Sequence, residues 1–309
     1  MSGGNRRGKV LRSIRGHYWV ETPDSVYHCF AREGLTKKMK VANPIVVGDE
    51  VTFEVVDEAK KEGVITDLHP RRTKLSRKVS TGTRELEQVV AANIDTLVIV
   101  SSVADPPFRP GLIDRYLVAA AKGGLTPIIC VNKVDLGGLD ELREVLDMYR
   151  DLGYPVVLTS AKTGQGIEEL RERLRDRTSV FAGHSGVGKS SLLRMLVPSI
   201  QVKVAEVNPR TGRGRHTTTA AELVRLPDGG YVIDTPGIRQ FSLWDLTEED
   251  VRQFFVEIAR YSSGCRFADC SHTVEPGCAV RAALEQGRLH PRRYESFLRL
   301  LEEARGESE

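Results

Sequence analysis

The sequence predicts a multidomain chain: an N-terminal β-barrel, a central, mostly parallel α/β domain, and a mainly helical C-terminal module that holds a metal. Three observations carry this. Five short strand patterns crowd into residues 1–70. Within residues 71–245 strands and helices alternate, and one strand runs into a glycine-rich loop of the form G-x-x-x-x-G-K-S. Within residues 246–309 stand Cys265, Cys270, His272 and Cys278, a set of metal-ligand type.

Composition bounds the rest. At 309 residues, 40% hydrophobic and 28% charged, the chain suits a soluble globular protein with a sizeable core. No apolar run approaches the roughly 20 residues of a membrane span, and the N-terminus has no apolar leader segment, so a cytoplasmic location without membrane contact is expected. Net charge is only +3, so any affinity for nucleic acid must come from local clusters. Three of the five cysteines fall in one short C-terminal segment, which suits a metal site in a reducing compartment better than disulfides.

In chain order, strands are expected over Lys9–Ile14, His17–Glu21, Val26–Ala31, Glu50–Val56 and Gly63–Asp67, separated by Thr22-Pro23-Asp24, Asn43-Pro44 and Gly48-Asp49 turns. Five such strands point to a small closed barrel, with the oligonucleotide-binding (OB) fold leading. Arg6, Arg7, Lys9, Arg12, Arg15, Lys37, Lys38 and Lys40 cluster there, with His17, Tyr18 and Trp19 nearby, which favours RNA contact. The competing reading makes Trp19 and Tyr27 barrel core. Residues 69–78 read as a basic connector able to extend the same surface.

From Ile94 onward, apolar strands (Thr96–Val100, Pro127–Val131, Pro155–Thr159, Val180–Ala182) alternate with helices (Leu112–Ala121, Asp140–Arg150, Ile167–Leu174), the pattern of a doubly wound sheet. Ligands on such sheets bind beyond the carboxyl ends of the strands. After the last strand come Gly183, His184, Ser185, Gly186, Val187, Gly188, Lys189, Ser190 and Ser191, a phosphate-binding loop opening a helix. Its glycines let successive N–H groups converge on a polyphosphate, aided by the helix N-terminus. Lys189 is expected on the β- and γ-phosphates, and the Ser190 hydroxyl on Mg²⁺.

Two further loops read a base. After one strand stands Asn132-Lys133-Val134-Asp135, and after the next Ser160-Ala161-Lys162. The first matches N-K-x-D. An Asp135 carboxylate can accept from guanine N1–H and the exocyclic amine, which adenine cannot supply, so the pair argues for GTP over ATP. Lys133 can lay its stem on the base, and the Ala161 N–H can donate to O6.

Beyond the phosphate loop, residues 208–215 read as a mobile polar loop ending in His216-Thr217-Thr218-Thr219. A hairpin over 220–233 then delivers Asp234-Thr235-Pro236-Gly237, a D-x-x-G motif. Asp234 is expected to hold Mg²⁺ through water and the Gly237 N–H to meet the γ-phosphate. One threonine of 217–219 completes the metal, with Thr218 favoured. Release of both loops on hydrolysis would be an order–disorder switch.

The C-terminal module opens on Thr247-Glu248-Glu249-Asp250, a capping box before a helix over Val251–Tyr261. Cys265, Cys270, His272 and Cys278 make a closed structural zinc set of one ion, and Cys29 and Cys130 read as core. A last helix from Pro291 places Tyr294, Phe297, Leu298 and Leu301 on one face.

The base-reading motifs here precede the phosphate loop, and D-T-P-G follows it. That order, an OB-type barrel before it and the Cys/His cluster after it, closely resembles the small-ribosomal-subunit-dependent, circularly permuted GTPase A family (RsgA/YjeQ type) over nearly the whole chain. The resemblance implies a monomeric enzyme that binds the small subunit and its rRNA, assists late maturation, and hydrolyses GTP to GDP and phosphate when the subunit stimulates it. It also points to His216 as catalytic, since Ile238 after D-T-P-G cannot orient water where many GTPases place Gln. A plain phosphate or RNA contact for His216 stands beside that role. The alternative from another class is an RNA-binding regulator with GTP as ligand.

Overall fold

A computed structural model of the chain describes residues 4–35, 44–81, 84–198, 221–234 and 246–306. Five strands, β1 (Asn5–Ile14), β2 (His17–Glu21), β3 (Val26–Ala31), β4 (Glu50–Asp57) and β5 (Glu62–Leu68), close on themselves in the order β1-β2-β3-β5-β4-β1. Only the β3–β5 pair is parallel. β1 serves two neighbours: Asn5–Lys9 pair with β4, and Lys9–Ile14 pair with β2 across a register shift between Val10 and Arg12. Such a bulge bends a strand sharply enough to shut a small barrel.

Strand alternation decides what fills it. Tyr18, Val20, Tyr27, Cys29, Phe53 and Ile65 point inward and are buried. Trp19, between Tyr18 and Val20, must therefore face out. It is half-buried, with the Arg12 guanidinium 5.0 Å from its ring. Tyr27 is core and Trp19 is not.

The basic connector is more structured than expected. Arg71 forks onto buried Asp49, Nε to Oδ1 at 2.7 Å and Nη2 to Oδ2 at 2.8 Å, which removes it from any phosphate-binding surface. From Lys74 the chain forms a hairpin, β6 (Lys74–Thr81) with β7 (Arg84–Ala92). A polar Lys-Leu-Ser-Arg-Lys run carries too little apolar alternation to announce a strand.

The central domain runs β8 (Thr96–Ser102), α1 (Pro110–Lys122), β9 (Thr126–Asn132), α2 (Leu139–Asp151), β10 (Val156–Leu158), α3 (Ile167–Leu174), β11 (Thr178–Ala182), α4 (Lys189–Leu196), β12 (Glu222–Arg225) and β13 (Tyr231–Asp234). The sheet order is β10-β9-β8-β11-β13-β12, parallel except for β12. β8 is buried along its whole length, which explains its unbroken apolar run. Leu97 and Ile99 pack under α1 and α2, while Val98 and Val100 pack under α3 and α4. Fully burying each such side chain contributes roughly 1.5–3 kcal/mol. Cys130 is fully buried among the second set. At its outer edge β12 meets β1 (Glu222 opposite Arg12), so barrel and sheet are continuous.

Four helices follow: α5 (Glu248–Phe254), α6 (Val256–Ser262), α7 (Ala279–Glu285) and α8 (Pro291–Arg305). The capping box forms, with Thr247 Oγ1 accepting from Asp250 N–H and the Asp250 carboxylate accepting from Thr247 N–H. The single helix expected over 251–261 breaks at Phe255, whose extended backbone drives its ring into the core against Phe297. Docking onto the central domain runs through α1. Arg293 of α8, 1% exposed, binds Asp114 of α1 and Glu257 of α6, and Tyr149 of α2 donates to Asp114 at 2.7 Å. Buried charges persist only when paired in this way.

Candidate nucleotide and metal sites

The phosphate-type loop leaves β11 at Ala182 and ends as α4 begins at Lys189. Two of its glycines are sterically required. Gly183 has φ +143°, and a Cβ there would meet Val100 O at 2.1 Å. Gly188 has φ +96°, and its Cβ would meet Asn132 Nδ2 at 2.2 Å. Val187 is buried and anchors the loop, whereas His184, Ser185 and Gly186 are exposed. α4 has no side-chain cap, so the N–H groups of its first turn, including that of Ser190, are left for an anion. The Lys189 ammonium donates to the carbonyls of Gly183 and His184, each at 2.7 Å.

Asn132, at the end of β9 and 1% exposed, joins three loops. Its Nδ2 donates to Val187 O (2.9 Å), and its Oδ1 accepts from Ala161 N–H (3.2 Å) and Thr159 Oγ1 (3.3 Å). Asn132 thus fixes the distance between the phosphate loop and the base-reading loops. Val134, buried, opens a 3-10 turn over Val134–Leu136 that presents Asp135. The Asp135 Oδ1 accepts from the Ser160 hydroxyl at 2.6 Å, Lys162 Nζ stands 3.9 Å away, and the carboxylate side chain is 14% exposed. Lys133 takes a left-handed φ of +64° and donates through its ammonium to the Asp105 carbonyl. Lys133, Asp135, Ala161, Lys162, Gly188 and Ser191 line one cleft of about 390 Å³.

Thr159 and Asp105 were not singled out by the motifs. Thr159, a fully buried polar residue closing an apolar run, was the available signal. The backbone of Asp234 ends β13, one step beyond the pairing of Ile233 with Val180 of β11. His216, Thr217, Thr218, Thr219 and Gly237 lie outside the described residues.

In the C-terminal module, the ligand atoms of Cys265, Cys270, His272 and Cys278 all lie within 4.8 Å of one another. Cys265 Sγ is 3.5 Å and Cys278 Sγ 3.6 Å from His272 Nδ1, and the two sulfurs are 4.0 Å apart. A tetrahedron with metal–sulfur bonds of about 2.3 Å has edges of about 3.8 Å, so the set fits zinc. Burial pushes the Cys270 thiol up to about 12, so a cation is what would hold it as thiolate. Burial also lowers the His272 pKa, favouring the neutral ligand form. Around the set, Glu275 accepts from Ser271 N–H at 2.8 Å, and Tyr294 donates to His272 O at 2.7 Å. Hydrogen bonding from the Ser271 side chain, and then from its backbone N–H, holds Glu275 well below the usual carboxylate range.

Comparison with known proteins decides the family. The RsgA GTPase family model matches residues 68–244, and that of the RsgA N-terminal domain matches residues 7–65. The chain belongs to the RsgA GTPase family. A relative from Chlorobaculum tepidum, a small ribosomal subunit biogenesis GTPase RsgA, is 47% identical over 96% of this chain and 97% of its own length. One from Shewanella oneidensis with the same name is 39% identical over 97% of this chain and 84% of its own. Among solved structures, YjeQ from Thermotoga maritima is similar with a TM-score of 0.79 and 35% identity over 98% of this chain and 99% of that one. YloQ, described as a circularly permuted GTPase, gives a TM-score of 0.77 and 33% identity over 99% and 97% of the two chains. As an RsgA GTPase the chain is a GTP hydrolase with the circularly permuted motif order. Among the described residues no helix is long and apolar enough to cross a membrane.

Proposed function

We propose that this hydrolase of the RsgA GTPase family works on the small ribosomal subunit, binding it with its rRNA late in maturation and turning over GTP when the subunit stimulates it. The observation that carries the nucleotide half is Asn132, which holds the phosphate loop and both base-reading loops around one cleft. In that cleft Asp135, set by Ser160, accepts from the guanine N1–H and amine, and Ala161 N–H meets O6. The loop from Gly183 to Ser191 takes the phosphates, with Lys189 leaving its carbonyl partners for them. Ser190, Asp234 and Thr218 would hold Mg²⁺, whose charge neutralises the phosphates. Gly237 N–H serves the γ-phosphate, and His216 positions the attacking water. Zinc on Cys265, Cys270, His272 and Cys278 is structural.

The subunit half is supported by the names of the relatives and by the barrel's outward Arg12 and Trp19. We divide the chain at 1–70, 71–245 and 246–309, acting as a cytoplasmic monomer. The test is co-sedimentation with small subunits in a GTP analogue and in GDP, with phosphate release followed on the same samples. Binding only with the analogue, and turnover that rises on adding subunits, is expected. Turnover indifferent to subunits refutes the reading, and His216→Ala with full stimulated turnover refutes the role of that residue.

A further inference from the structure

A second cleft, of about 720 Å³, lies where the barrel meets the sheet, beside the amino ends of β11 and β13 and so at the edge opposite the nucleotide loops. Lys9 of β1, Arg72, Arg175, Arg177 and Arg225 line it, against only two acidic side chains, Asp95 and Asp176. Asp95 is already engaged: one oxygen takes Arg72 at 3.1 Å and the other accepts from Thr178 N–H at 2.8 Å. Arg175 and Arg177 differ from the other cations. Both are exposed, and neither guanidinium has a carboxylate or hydrogen-bonding partner among the described residues. They flank Asp176, whose left-handed φ of +56° turns the chain between α3 and β11.

We propose that this cleft binds the sugar-phosphate backbone of a single RNA strand, with Arg175 and Arg177 as its anchoring contacts. Two unpartnered guanidinium forks in a concavity suit phosphate oxygens, which they can grip bidentately. The cleft has the size of a small-molecule pocket, so a strand enters it and a double helix does not. The lining also argues against base stacking. Its aromatic ring, Tyr231, is covered by Lys9 Nζ at 4.7 Å, and its hydroxyl is bound to Glu21. Recognition is therefore of backbone charge and carries no sequence preference. The identity of the RNA rests on the ribosomal reading above; the cleft's affinity for a strand does not.

The test is binding of a fluorescent twelve-nucleotide oligouridine to the full chain, titrated from 50 to 200 mM salt, for wild type and Arg175→Gln/Arg177→Gln. Each phosphate contact on a single strand contributes about 0.7 to the slope of log K against log salt. Losing two should lower the slope by about 1.4, so the wild-type advantage shrinks about sevenfold over that salt range. The Arg175→Lys/Arg177→Lys variant should keep most of the slope, and GDP affinity should be unchanged in both. An unaltered slope in the glutamine variant overturns the proposal. So does absence of oligouridine binding by wild type, or equal loss in both variants. Normal co-sedimentation with subunits alongside any of these would leave the ribosomal reading standing while the cleft assignment fails.

Discussion

Asp135→Asn alters one atom of the cleft and should move its base preference. In the structure the Asp135 carboxylate is largely enclosed, and Oδ1 is held by Ser160 at 2.6 Å, so the side chain has little freedom to turn away. Guanine presents two donors to it. An amide in the same place presents N–H where one of them must be accepted, losing one hydrogen bond to a charged group, worth about 1.5–3 kcal/mol. A loss of about 1.5–3 kcal/mol weakens GDP roughly 10- to 150-fold. Xanthine carries a carbonyl where guanine has its amine, so the variant should gain for xanthosine diphosphate by a similar factor. Titration of fluorescent GDP and XDP analogues into both proteins reads the two changes together. Asp135→Ala should lose GDP affinity without gaining XDP, which separates recognition from disturbance of the loop. A variant that keeps the wild-type order of GDP over XDP would show that Asp135 does not face the base.

Cys265→Ser should lower the metal content from about one zinc per chain and depress the melting temperature, since folding of such sites is linked to the ion; full zinc retention by elemental analysis would remove the four-ligand assignment. Arg293→Met leaves the buried carboxylates of Asp114 and Glu257 without their cation and should cost about 3–5 kcal/mol in urea unfolding. Adding Asp114→Asn and Glu257→Gln should restore most of it, and a single variant as stable as wild type would contradict the buried triad. Burial pushes the Cys29 and Cys130 thiols up to about 12, above the unfolded value of about 8.5. Their folded pKa being raised, their contribution is complete below the unfolded value and is lost as pH climbs toward 12. Iodoacetamide at pH 9 should therefore spare both thiols in the native protein and label them in urea; native labelling would place them at the surface.

The parts of the fold that could be read from the sequence are those where local chemistry and tertiary packing agree. β2, β3 and α3 begin and end where the turn residues and apolar spacing put them, because Thr22-Pro23-Asp24 and Gly164–Gly166 leave the chain few alternatives. The two base-reading loops were visible for a related reason: each follows a strand whose burial forces the next polar residue to the sheet's rim. What escaped depends on residues distant in sequence. The break at Phe255 comes from packing against Phe297, and the Asp114–Arg293–Glu257 group draws on three helices. α7 escaped because its N-terminus is capped by Cys278, whose sulfur accepts from Arg281 N–H, and cysteine is not a residue from which a helix start is read. The role of Asn132 as a joint between loops was likewise hidden, since N-K-x-D names it without saying what it touches.

The meeting of β1 and β12 ties distant parts of the chain into one line. Trp19 sits opposite Arg12, Arg12 opposite Glu222, and Glu222 opposite Asp234. A load applied at the barrel's outer wall is thus borne by a rung of four neighbouring strands whose last member is the residue from which D-T-P-G departs. Prying the barrel away means snapping that rung, so whatever grips the barrel also has hold of the strand end at Asp234.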